Sequence, residues 1–398
     1  METLRAHHNR LIDTATPSVL QRPLGLELNW GLRLSGILGT RGVGKTTLML
    51  NHLKETHGRD PSALYVSLDN IYFNSNPLFD TASDFYNSGG KYLFLDEVHR
   101  YQNWSQEIKN LYDSFPAMKI VFTGSSILHL IQGQADLSRR ARIYRMEGLS
   151  FREFVNAETK LSLPHYSLSD ITGNHVSIAG EITAQVKPLA HFQAYLQHGY
   201  YPFYLEDLPS YPDQLMATIN LVLDVDLPLC RAVDVNSSRK LKRLLYMIAT
   251  TAPMTPNVSK ISAGVEVARK TLPLYFDYLH DAQLVNLLRS AGKGYSQLAK
   301  PAKIYLHNTN LAYAIAPQIP DKGTLRETFF LNQLSSRHTV NHTDIGNFLV
   351  DNSMIFEIGG RSKKGTQLKD AEKGFVAADD IEVGYGNKIP LWLFGFLR

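Results

Sequence analysis

Between residues 32 and 146, short apolar runs alternate with amphipathic stretches. Four of the runs are apolar and partly β-branched, which is typical of buried strands: 32–38, 63–68, 92–96 and 119–123. The stretches 47–57 and 104–115 show the periodicity of amphipathic helices. Strands that alternate with helices predict a mainly parallel sheet covered on both faces, so we expect an α/β fold.

Downstream of this region the pattern changes. Residues 157–190 are rich in Ser and Thr and contain Pro164 and Pro188, which predicts a linker or a loosely packed insertion. The pattern then predicts a helical region over 191–250, followed by helix, turn, helix and an extended hairpin over 252–304. One more helix is predicted in the stretch LRETFFLNQLSS, and β-like runs follow at 346–358 and 389–397.

A glycine-rich segment follows the first predicted strand. Residues 39–46 match the phosphate-loop pattern G-x-x-x-x-G-K-[ST] between a strand and a helix, where backbone N–H groups and the helix N-terminus face phosphate oxygens. In such a loop Lys45 bridges the β- and γ-phosphates of ATP, and the Thr46 hydroxyl binds Mg²⁺. The predicted ATP-binding residues are Gly39, Thr40, Arg41, Gly42, Val43, Gly44, Lys45, Thr46 and Thr47.

Two acids end the apolar strand 92–96 and supply the second half of the predicted site. Asp96 is expected to bind the Mg²⁺ ion together with Thr46, and Glu97 is expected to act as general base on the attacking water. Adjacent residues on a strand point to opposite faces. Both carboxylates can therefore serve one site only if the strand ends at this point.

Further polar groups follow the next predicted strand. A hydroxyl at its tip, from Thr123 or Ser125, is expected to contact the γ-phosphate or the water, and we include Ser125 among the catalytic residues. In the segment DLSRR, Arg139 and Arg140 offer two guanidinium groups. Arg140 is predicted to stabilise charge on the transferring phosphoryl group, either within its own chain or from a neighbouring subunit.

Four segments together resemble the prokaryotic AAA-family ATPases in which a nucleotide-binding domain is fused to a C-terminal domain of uncharacterised function. They are GTRGVGKTTLM, YLFLDEVH with Trp104 after it, IVFTGSS, and DLSRRARIYRMEGLSFREF. The similarity continues through 195–206, 252–304 and 325–334. This resemblance implies a P-loop ATPase fold with an additional strand between the loop strand and the Asp-Glu strand. It also implies a helical and winged-helix region and a restriction-endonuclease-like C-terminal fold.

Pattern and resemblance together predict four domains. A P-loop ATPase domain occupies 1–156, a linker and helical region 157–250, a winged-helix-like domain 251–322, and a small α/β endonuclease-like domain 323–398. Active members of the endonuclease-like class hold a divalent metal with an acid on one strand and Glu-x-Lys on the next.

This chain departs from that endonuclease pattern at two positions. Asn347 stands at the first position and Gly359 in place of the lysine, although Glu327 and Glu357 are present. Asp344 or Lys363 could substitute from a shifted position. We expect a scaffold without cleavage activity and keep a metal-dependent nuclease as an alternative.

Charge is unevenly distributed along the chain. The whole chain has a net charge of +4, but 236–304 contains eleven basic and three acidic residues and is +8, so the rest sums to −4. The basic residues are Arg239, Lys240, Lys242, Arg243, Lys260, Arg269, Lys270, Arg289, Lys293, Lys300 and Lys303. Such a zone predicts salt-dependent binding of duplex DNA, or of an acidic protein surface.

Within this zone, 252–304 matches the pattern of a winged helix. A third helix is predicted over 265–284, with Arg269 and Lys270 near its start and a basic hairpin at 287–306 as the wing. Pro273 interrupts that helix, because proline lacks the N–H that a helix interior requires. The helix is therefore expected to begin nearer residue 271, with Pro273 in its first turn.

Composition excludes several other classes. The 398 residues include one cysteine, Cys230, so neither an internal disulfide nor a multi-thiolate zinc site can form. No apolar run approaches the roughly 18–20 residues that cross a bilayer, and the N-terminus lacks the apolar core of a signal peptide. We expect a cytoplasmic protein that uses no metal besides Mg²⁺, and an oligomer is compatible with these features.

Overall fold

The computed structural model divides the chain into two compact units. The first unit consists of 1–148 and 221–234, and the second of 149–220 and 235–398. The structure describes residues 1–15, 20, 22–125, 137, 139–231, 233–291, 300–316, 318, 320–369 and 371–398. This division differs from the four domains predicted above, because residues far apart in sequence pack into each unit.

The first unit contains a five-stranded sheet with the order β2-β3-β4-β1-β5. Its strands are β1 (Leu34–Leu38), β2 (Ala63–Ser67), β3 (Tyr92–Asp96), β4 (Lys119–Gly124) and β5 (Arg142–Arg145). Every pair is parallel. The predicted α/β class with a parallel P-loop sheet is confirmed. The expected additional strand is β4, which separates β1 from β3.

Amphipathic helices accompany this sheet. They are α1 (Glu2–Thr14), α2 (Pro23–Glu27), α3 (Lys45–Thr56), α4 (Leu78–Asn87) and α5 (Trp104–Ser114). The buried positions recur at helical spacing, as with Met49 and Leu53 on α3 or Ile108 and Leu111 on α5. Ile108 and Leu111 form one core with apolar residues of the strands. Short 3₁₀ turns lie at Ile71–Asn74 and Val98–Arg100.

The carboxyl ends of three strands meet at one edge of this sheet. Because β1 lies between β4 and β5, the chain leaves β1 at a point where neighbouring connections diverge. In open parallel sheets this is where ligands bind. Leu38 is paired with Gly124, and Leu95 with Phe122, so the residues that follow β1, β3 and β4 are brought to the same level.

A second piece of chain completes the first unit. Residues Val222–Asp226 form a π-helical turn, and α10 (Leu227–Arg231) follows it. The π-helical turn continues α9 (Tyr211–Leu221), most of which belongs to the second unit. We call residues 221–234 the strap. Nothing in the local sequence pattern predicted that it belongs with the P-loop sheet.

The expected linker at 157–190 is wrong. Most of it is helical: α6 (Phe151–Thr159) reaches into it, and α7 (Leu168–Thr183) and α8 (Pro188–His198) follow. Ser167 accepts a hydrogen bond from the Asp170 N–H at 3.1 Å and forms a capping box, so a serine that suggested a loop in fact starts a helix. Ile171, Ile178 and Ile182 are buried on one face of α7.

The basic segment folds as three helices and a hairpin. The helices are α11 (Val235–Thr251), α12 (Val258–Val265) and α13 (Leu272–Asp281), and the antiparallel strands are β6 (Val285–Leu288) and β7 (Lys303–Leu306). Pro273 occupies the first turn of α13, as the shorter alternative predicted, because its missing N–H has no helical partner there. Residues 292–299, the tip of the predicted wing, lie outside the described residues.

The C-terminal part adds a second five-stranded sheet. Helices α14 (Thr309–Ile315) and α15 (Lys322–Ser335) precede strands in the order β12-β11-β10-β9-β8. The strands are β8 (Val340–Asn341), β9 (Phe348–Val350), β10 (Met354–Gly359), β11 (Gly374–Ala378) and β12 (Lys388–Pro390). The run 389–397 is mostly a buried 3₁₀ helix, Leu391–Phe396, rather than a strand. A short apolar run alone does not distinguish these two states.

His8 is a buried histidine in the first unit. Its side chain on α1 is fully buried, and its Nδ1 accepts a hydrogen bond from the Tyr65 N–H at 3.0 Å. Burial, assisted by the charge of Arg5, lowers the pKa of His8 from 6.5 to about 4. The neutral imidazole is therefore part of the folded structure.

Acidification is expected to destabilise the protein partly through His8. The unfolded chain protonates His8 as the pH falls through 6.5, whereas the folded protein resists until about 4, so this contribution is complete above 6.5 and is lost toward 4. Thermal unfolding is measured at about pH 7.5 and at about pH 5. Between these two pH values, the stability of His8→Asn should fall by less than that of wild type. His7→Asn is the control and should follow wild type. Equal pH dependence of wild type and His8→Asn would contradict this assignment.

Candidate nucleotide-binding site

The loop between β1 and α3 has the backbone geometry that its glycines suggest. Gly42 and Gly44 have φ of 86° and 94°, in the left-handed region that favours glycine. A Cβ on Gly39 would lie 2.2 Å from the Met146 carbonyl oxygen, so only glycine fits. Helix α3 begins at Lys45, which directs its N-terminal N–H groups toward the loop.

Lys45 is buried inside this loop. Its Nζ donates hydrogen bonds to the carbonyl oxygens of Gly39 at 2.9 Å and Thr40 at 3.1 Å. Burial lowers the pKa of Lys45, and the charges of Glu97 and Asp96 oppose that effect. A buried ammonium group that donates to carbonyl oxygens is well placed to bind a stronger anion.

Hydroxyl groups on neighbouring elements donate hydrogen bonds to the Asp96 carboxylate. Thr46 Oγ1 donates to its Oδ2 at 2.7 Å, and the Tyr65 hydroxyl donates to the same oxygen at 2.8 Å. Burial, together with Asp96, raises the pKa of the Tyr65 phenol well above its ordinary value, so it stays a donor. Thr46 and Asp96 bring two oxygen ligands together, which fits the usual Mg²⁺ site of one or two protein oxygens with phosphates and water.

Thr123, rather than Ser125, is the β4 residue that contacts the acids. Thr123 Oγ1 donates to Asp96 Oδ1 and accepts from the Glu97 N–H at 3.1 Å. Ser125 is buried just beyond the strand. Both hydroxyls were candidates from the sequence. The register of β3 and β4 places Thr123 against Asp96 and the Glu97 N–H.

Glu97 follows the last residue of β3 in a left-handed conformation with φ of 53°. That conformation is uncommon for a residue with a side chain, and such strain tends to occur at functional sites. The strand ends at Asp96, as the use of both carboxylates in one site requires. Glu97 Oε2 lies 3.6 Å from Arg41 Nη2 and 3.4 Å from His99 Nε2.

The strap adds a carboxylate that the sequence analysis missed. Asp226 is almost fully buried, and its oxygens lie 3.4 Å from both Nε and Nη2 of Arg41. His99 Nε2 is 3.6 Å away, and Arg100 Nη2 is 3.1 Å away. Burial alone would raise the pKa of Asp226, but His99 and Arg41 outweigh it and the pKa is lowered. Asp226 lies 185 residues from Arg41 in sequence, so no local motif identifies it.

Arg140 is not grouped with the acids at the end of β3. Its Nε and Nη2 donate to the two oxygens of Asp113 on α5, at 3.0 and 3.1 Å. Arg139 is exposed, and Asp136 and Ser138 of the same segment lie outside the described residues. Thr40 is buried, whereas Thr47 is exposed in the first turn of α3.

The predicted nuclease residues form a separate cluster in the second unit. Asn347 Nδ2 donates to Glu327 Oε1 at 2.8 Å, and the Tyr305 hydroxyl donates to Glu327 Oε2 at 2.7 Å. Lys363 Nζ lies 2.8 Å from Glu357 Oε1. Among the described residues, no group of three or more His, Cys, Asp or Glu side chains is arranged to hold a metal.

The basic segment exposes only part of its charge. Six of its described basic residues are exposed: Arg239, Arg243, Lys260, Arg269, Lys270 and Lys300. Two basic residues of the segment are paired with acids: Arg243 with Glu266 at 3.0 Å and Arg289 with Asp277 at 3.3 Å. Lys293 lies outside the described residues.

Two family models match parts of the chain. Residues 33–155 match an AAA domain, and residues 189–322 match a domain of unknown function (DUF8612). The first match agrees with the loop, Asp96 and Glu97 described above and supports a P-loop nucleotide-binding domain of AAA type. The second match ends before the C-terminal sheet and carries no indication of an endonuclease.

Proteins similar to this chain include one archaeal sequence and two solved structures. The uncharacterised protein MJ1637 of Methanocaldococcus jannaschii is 26% identical over 282 residues, which is 67% of this chain and 59% of that protein. The Aeropyrum pernix Orc1 protein in complex with DNA matches 77% of this chain and 94% of its own at 11% identity and a TM-score of 0.36. AMPPCP-bound DnaA from Aquifex aeolicus matches 65% of this chain and 85% of its own, at 14% identity and a TM-score of 0.28. At these scores no functional conclusion rests on the two structures.

No helix in the described part of the chain combines the length and apolarity needed to cross a membrane.

Replacing Thr123 by Ala is expected to impair the site more than replacing Ser125. Thr123→Ala removes a hydrogen bond to the Asp96 carboxylate and another to the Glu97 backbone, and hydrogen bonds to charged groups contribute about 1.5–3 kcal/mol. We expect Mg²⁺-dependent ATP turnover to fall about 10- to 100-fold. Ser125→Ala should stay near wild type. A larger loss in Ser125→Ala would restore Ser125 as the catalytic hydroxyl.

Proposed function

We propose that the protein binds MgATP and hydrolyses it slowly to ADP and phosphate, using the cycle as a conformational switch. The observation that carries this proposal is the convergence of Thr46, Asp96, Thr123 and Glu97 beside the phosphate loop. The match of residues 33–155 to an AAA domain supports it independently. The four residues come from three separate elements, so chance agreement with a local motif does not explain their proximity.

Binding of the phosphates is assigned to the loop and to Lys45. The loop N–H groups and the start of α3 would face the phosphate oxygens, and Lys45 would exchange the Gly39 and Thr40 carbonyls for them. Thr46 and Asp96 would hold Mg²⁺, which supplies positive charge opposite the phosphate oxygens.

Glu97 is assigned to orient and deprotonate the attacking water. Its carboxylate is mostly buried, and Thr123 fixes its backbone at the end of β3. Arg41 and His99 both approach the same Glu97 oxygen. Reorientation of these neighbours must then precede catalysis, which fits slow turnover and a switch.

One substitution is expected to impair ATP binding, and another is expected to impair ATP turnover alone. Lys45→Ala should weaken ATP binding about 100-fold or more, because hydrogen bonds to a charged group contribute about 1.5–3 kcal/mol and this lysine can make several. Glu97→Gln should retain ATP affinity and lower turnover about 100-fold or more, the range for loss of a general base. Titration calorimetry and phosphate release measure the two effects.

Two exposed residues of the same unit serve as controls. Lys91→Ala and Glu55→Gln make the same chemical changes away from the site and should leave both measurements at wild-type values. ATP hydrolysis by Glu97→Gln at the wild-type rate would refute the assignment of the base. Unchanged ATP binding by Lys45→Ala would refute the nucleotide site itself.

A second candidate function is ATP-gated binding of duplex DNA through the basic segment 236–304. The exposed Lys260, Arg269 and Lys270 lie on or beside α12 and α13, and the order of three helices followed by a hairpin is that of a winged helix. Positive side chains at these positions would contact phosphates largely without regard to sequence. An acidic protein surface is the competing partner, and the measurement below distinguishes the two.

Charge reversal at Arg269 and Lys270 is expected to weaken DNA binding. In fluorescence anisotropy with duplex DNA across a salt series, Arg269→Glu with Lys270→Glu should lower affinity. It should also reduce the slope of log affinity against log salt by about 2, one for each lost phosphate contact.

The matched control reverses two exposed lysines of the same unit outside the segment, Lys160→Glu with Lys187→Glu. It should keep the wild-type slope. Salt-insensitive or undetectable binding by wild-type protein would exclude DNA and leave the protein partner.

A further inference from the structure

The strap connects the two units in a way that a simple linker does not. The chain leaves the first unit after Gly148, returns to it at Leu221 and leaves again after Asp234. Both ends of the strap therefore continue into sequence that belongs to the second unit, through α9 and α11. The strap is therefore covalently continuous with both of these helices.

The strap contributes one buried charged group to the phosphate-loop region. Asp226 is 1% exposed, and its carboxylate faces Arg41, His99 and Arg100. A buried carboxylate is tolerated only when paired, because transfer from water is costly. Removing one of these partners therefore destabilises the attachment of the strap to the rest of the first unit.

Asp226 ends a π-helical turn. Such turns are rare and short, and they often occur at functional sites because the extra residue per turn reorients a side chain. Here Asp226 is buried although Asp224, two residues earlier on the same turn, is exposed. The local backbone is arranged to direct this carboxylate, and not its neighbour, into the first unit.

Arg41 is shared between this carboxylate and the predicted phosphate site. It belongs to the phosphate loop itself, two residues after Gly39, and its side chain is 27% exposed. Its guanidinium contacts Asp226 through two nitrogens and Glu97 through one. Burial lowers the pKa of Arg41, but Asp226 and Glu97 outweigh it, so the group is a permanent cation. Arginine binds carboxylates and phosphates through the same planar donor geometry.

We propose that Asp226 is a positioning residue of the nucleotide site, which competes with the phosphates of bound nucleotide for Arg41. When the phosphates bind Arg41, Glu97 loses its guanidinium neighbour and Asp226 loses its bidentate partner. Glu97 is then available to orient water, and the strap is less firmly attached. This inference rests on the proposed MgATP binding and adds the route by which binding reaches the second unit.

Hydrogen–deuterium exchange of the full-length protein tests this competition. With Mg²⁺ and AMPPNP, amides of residues 221–234 should exchange faster than without nucleotide. Asp226→Asn should exchange rapidly in the strap under both conditions. Calorimetry on the same sample measures AMPPNP binding.

Two outcomes overturn the proposal and are distinguishable. If AMPPNP binds and the strap exchange does not change, the competition is refuted while the nucleotide site stands. If AMPPNP does not bind to wild-type protein, the proposed function is refuted and this inference with it.

Kinetics separate positioning from a purely structural role. Asp226→Asn should bind ATP about 5- to 10-fold more tightly, within the usual range of coupling between sites, because Arg41 no longer has a competing carboxylate. Its kcat should rise, because Arg41 then leaves Glu97 for the phosphates more readily. Asp226→Glu should restore most of both values, and Asp224→Asn should equal wild type. A variant that is only less stable, with unchanged or weaker ATP binding, would contradict the proposal.

A reciprocal variant covers the case in which Asp226→Asn does not fold. Arg41→Gln removes the shared cation and leaves Asp226 with Arg100 and His99. It should still bind AMPPNP through Lys45 and the loop amides, but nucleotide should no longer accelerate exchange in the strap. Acceleration equal to that of wild type would show that Arg41 is not the shared group.

Discussion

Burial of the Asp96 carboxylate requires donors for both of its oxygens, and that requirement joins several elements of the first unit. One oxygen accepts hydrogen bonds from the hydroxyl groups of Thr46 on α3 and Tyr65 on β2. The other oxygen accepts one from the hydroxyl group of Thr123 on β4. The phosphate loop, the acidic strand and its neighbours are therefore held in register by one charged group. Glu97 gains its position from the same arrangement, because Thr123 also accepts its backbone N–H.

A second buried carboxylate, Asp226, is stabilised in a different way. The Asp96 oxygens accept hydrogen bonds from neutral hydroxyls, which a metal ion can join, whereas the Asp226 oxygens lie against the guanidinium groups of Arg41 and Arg100. Hydroxyl donors make a stable framework, while a salt-bridge partner such as Arg41 can be exchanged for another anion. The first cluster thus suits a fixed site and the second suits a switch, and Glu97 lies between them.

Local motifs predicted much of the first unit correctly. The phosphate loop, the end of β3 at Asp96 and the four main strands follow from short-range spacing, because chain geometry determines them within a few residues. Residues 157–190 were predicted incorrectly, because serine and threonine both start helices and interrupt them, and only the buried face of α7 distinguishes the two cases. The β-like run predicted at 389–397 is mostly a 3₁₀ helix for a different reason: every residue of it is buried, so it carries no period.

By itself, the sequence determined that the chain has an α/β phosphate-loop unit with a loop lysine, an acid at the end of β3 and an adjacent second acid. Those features depend on contiguous residues. Only the tertiary structure decided that Thr123 contacts Asp96, that Arg140 pairs with Asp113, and that Asp226 joins Arg41 from 185 residues away. The reason is physical: strand register and the return of the strap depend on burial and charge pairing over the whole unit, which no local pattern contains.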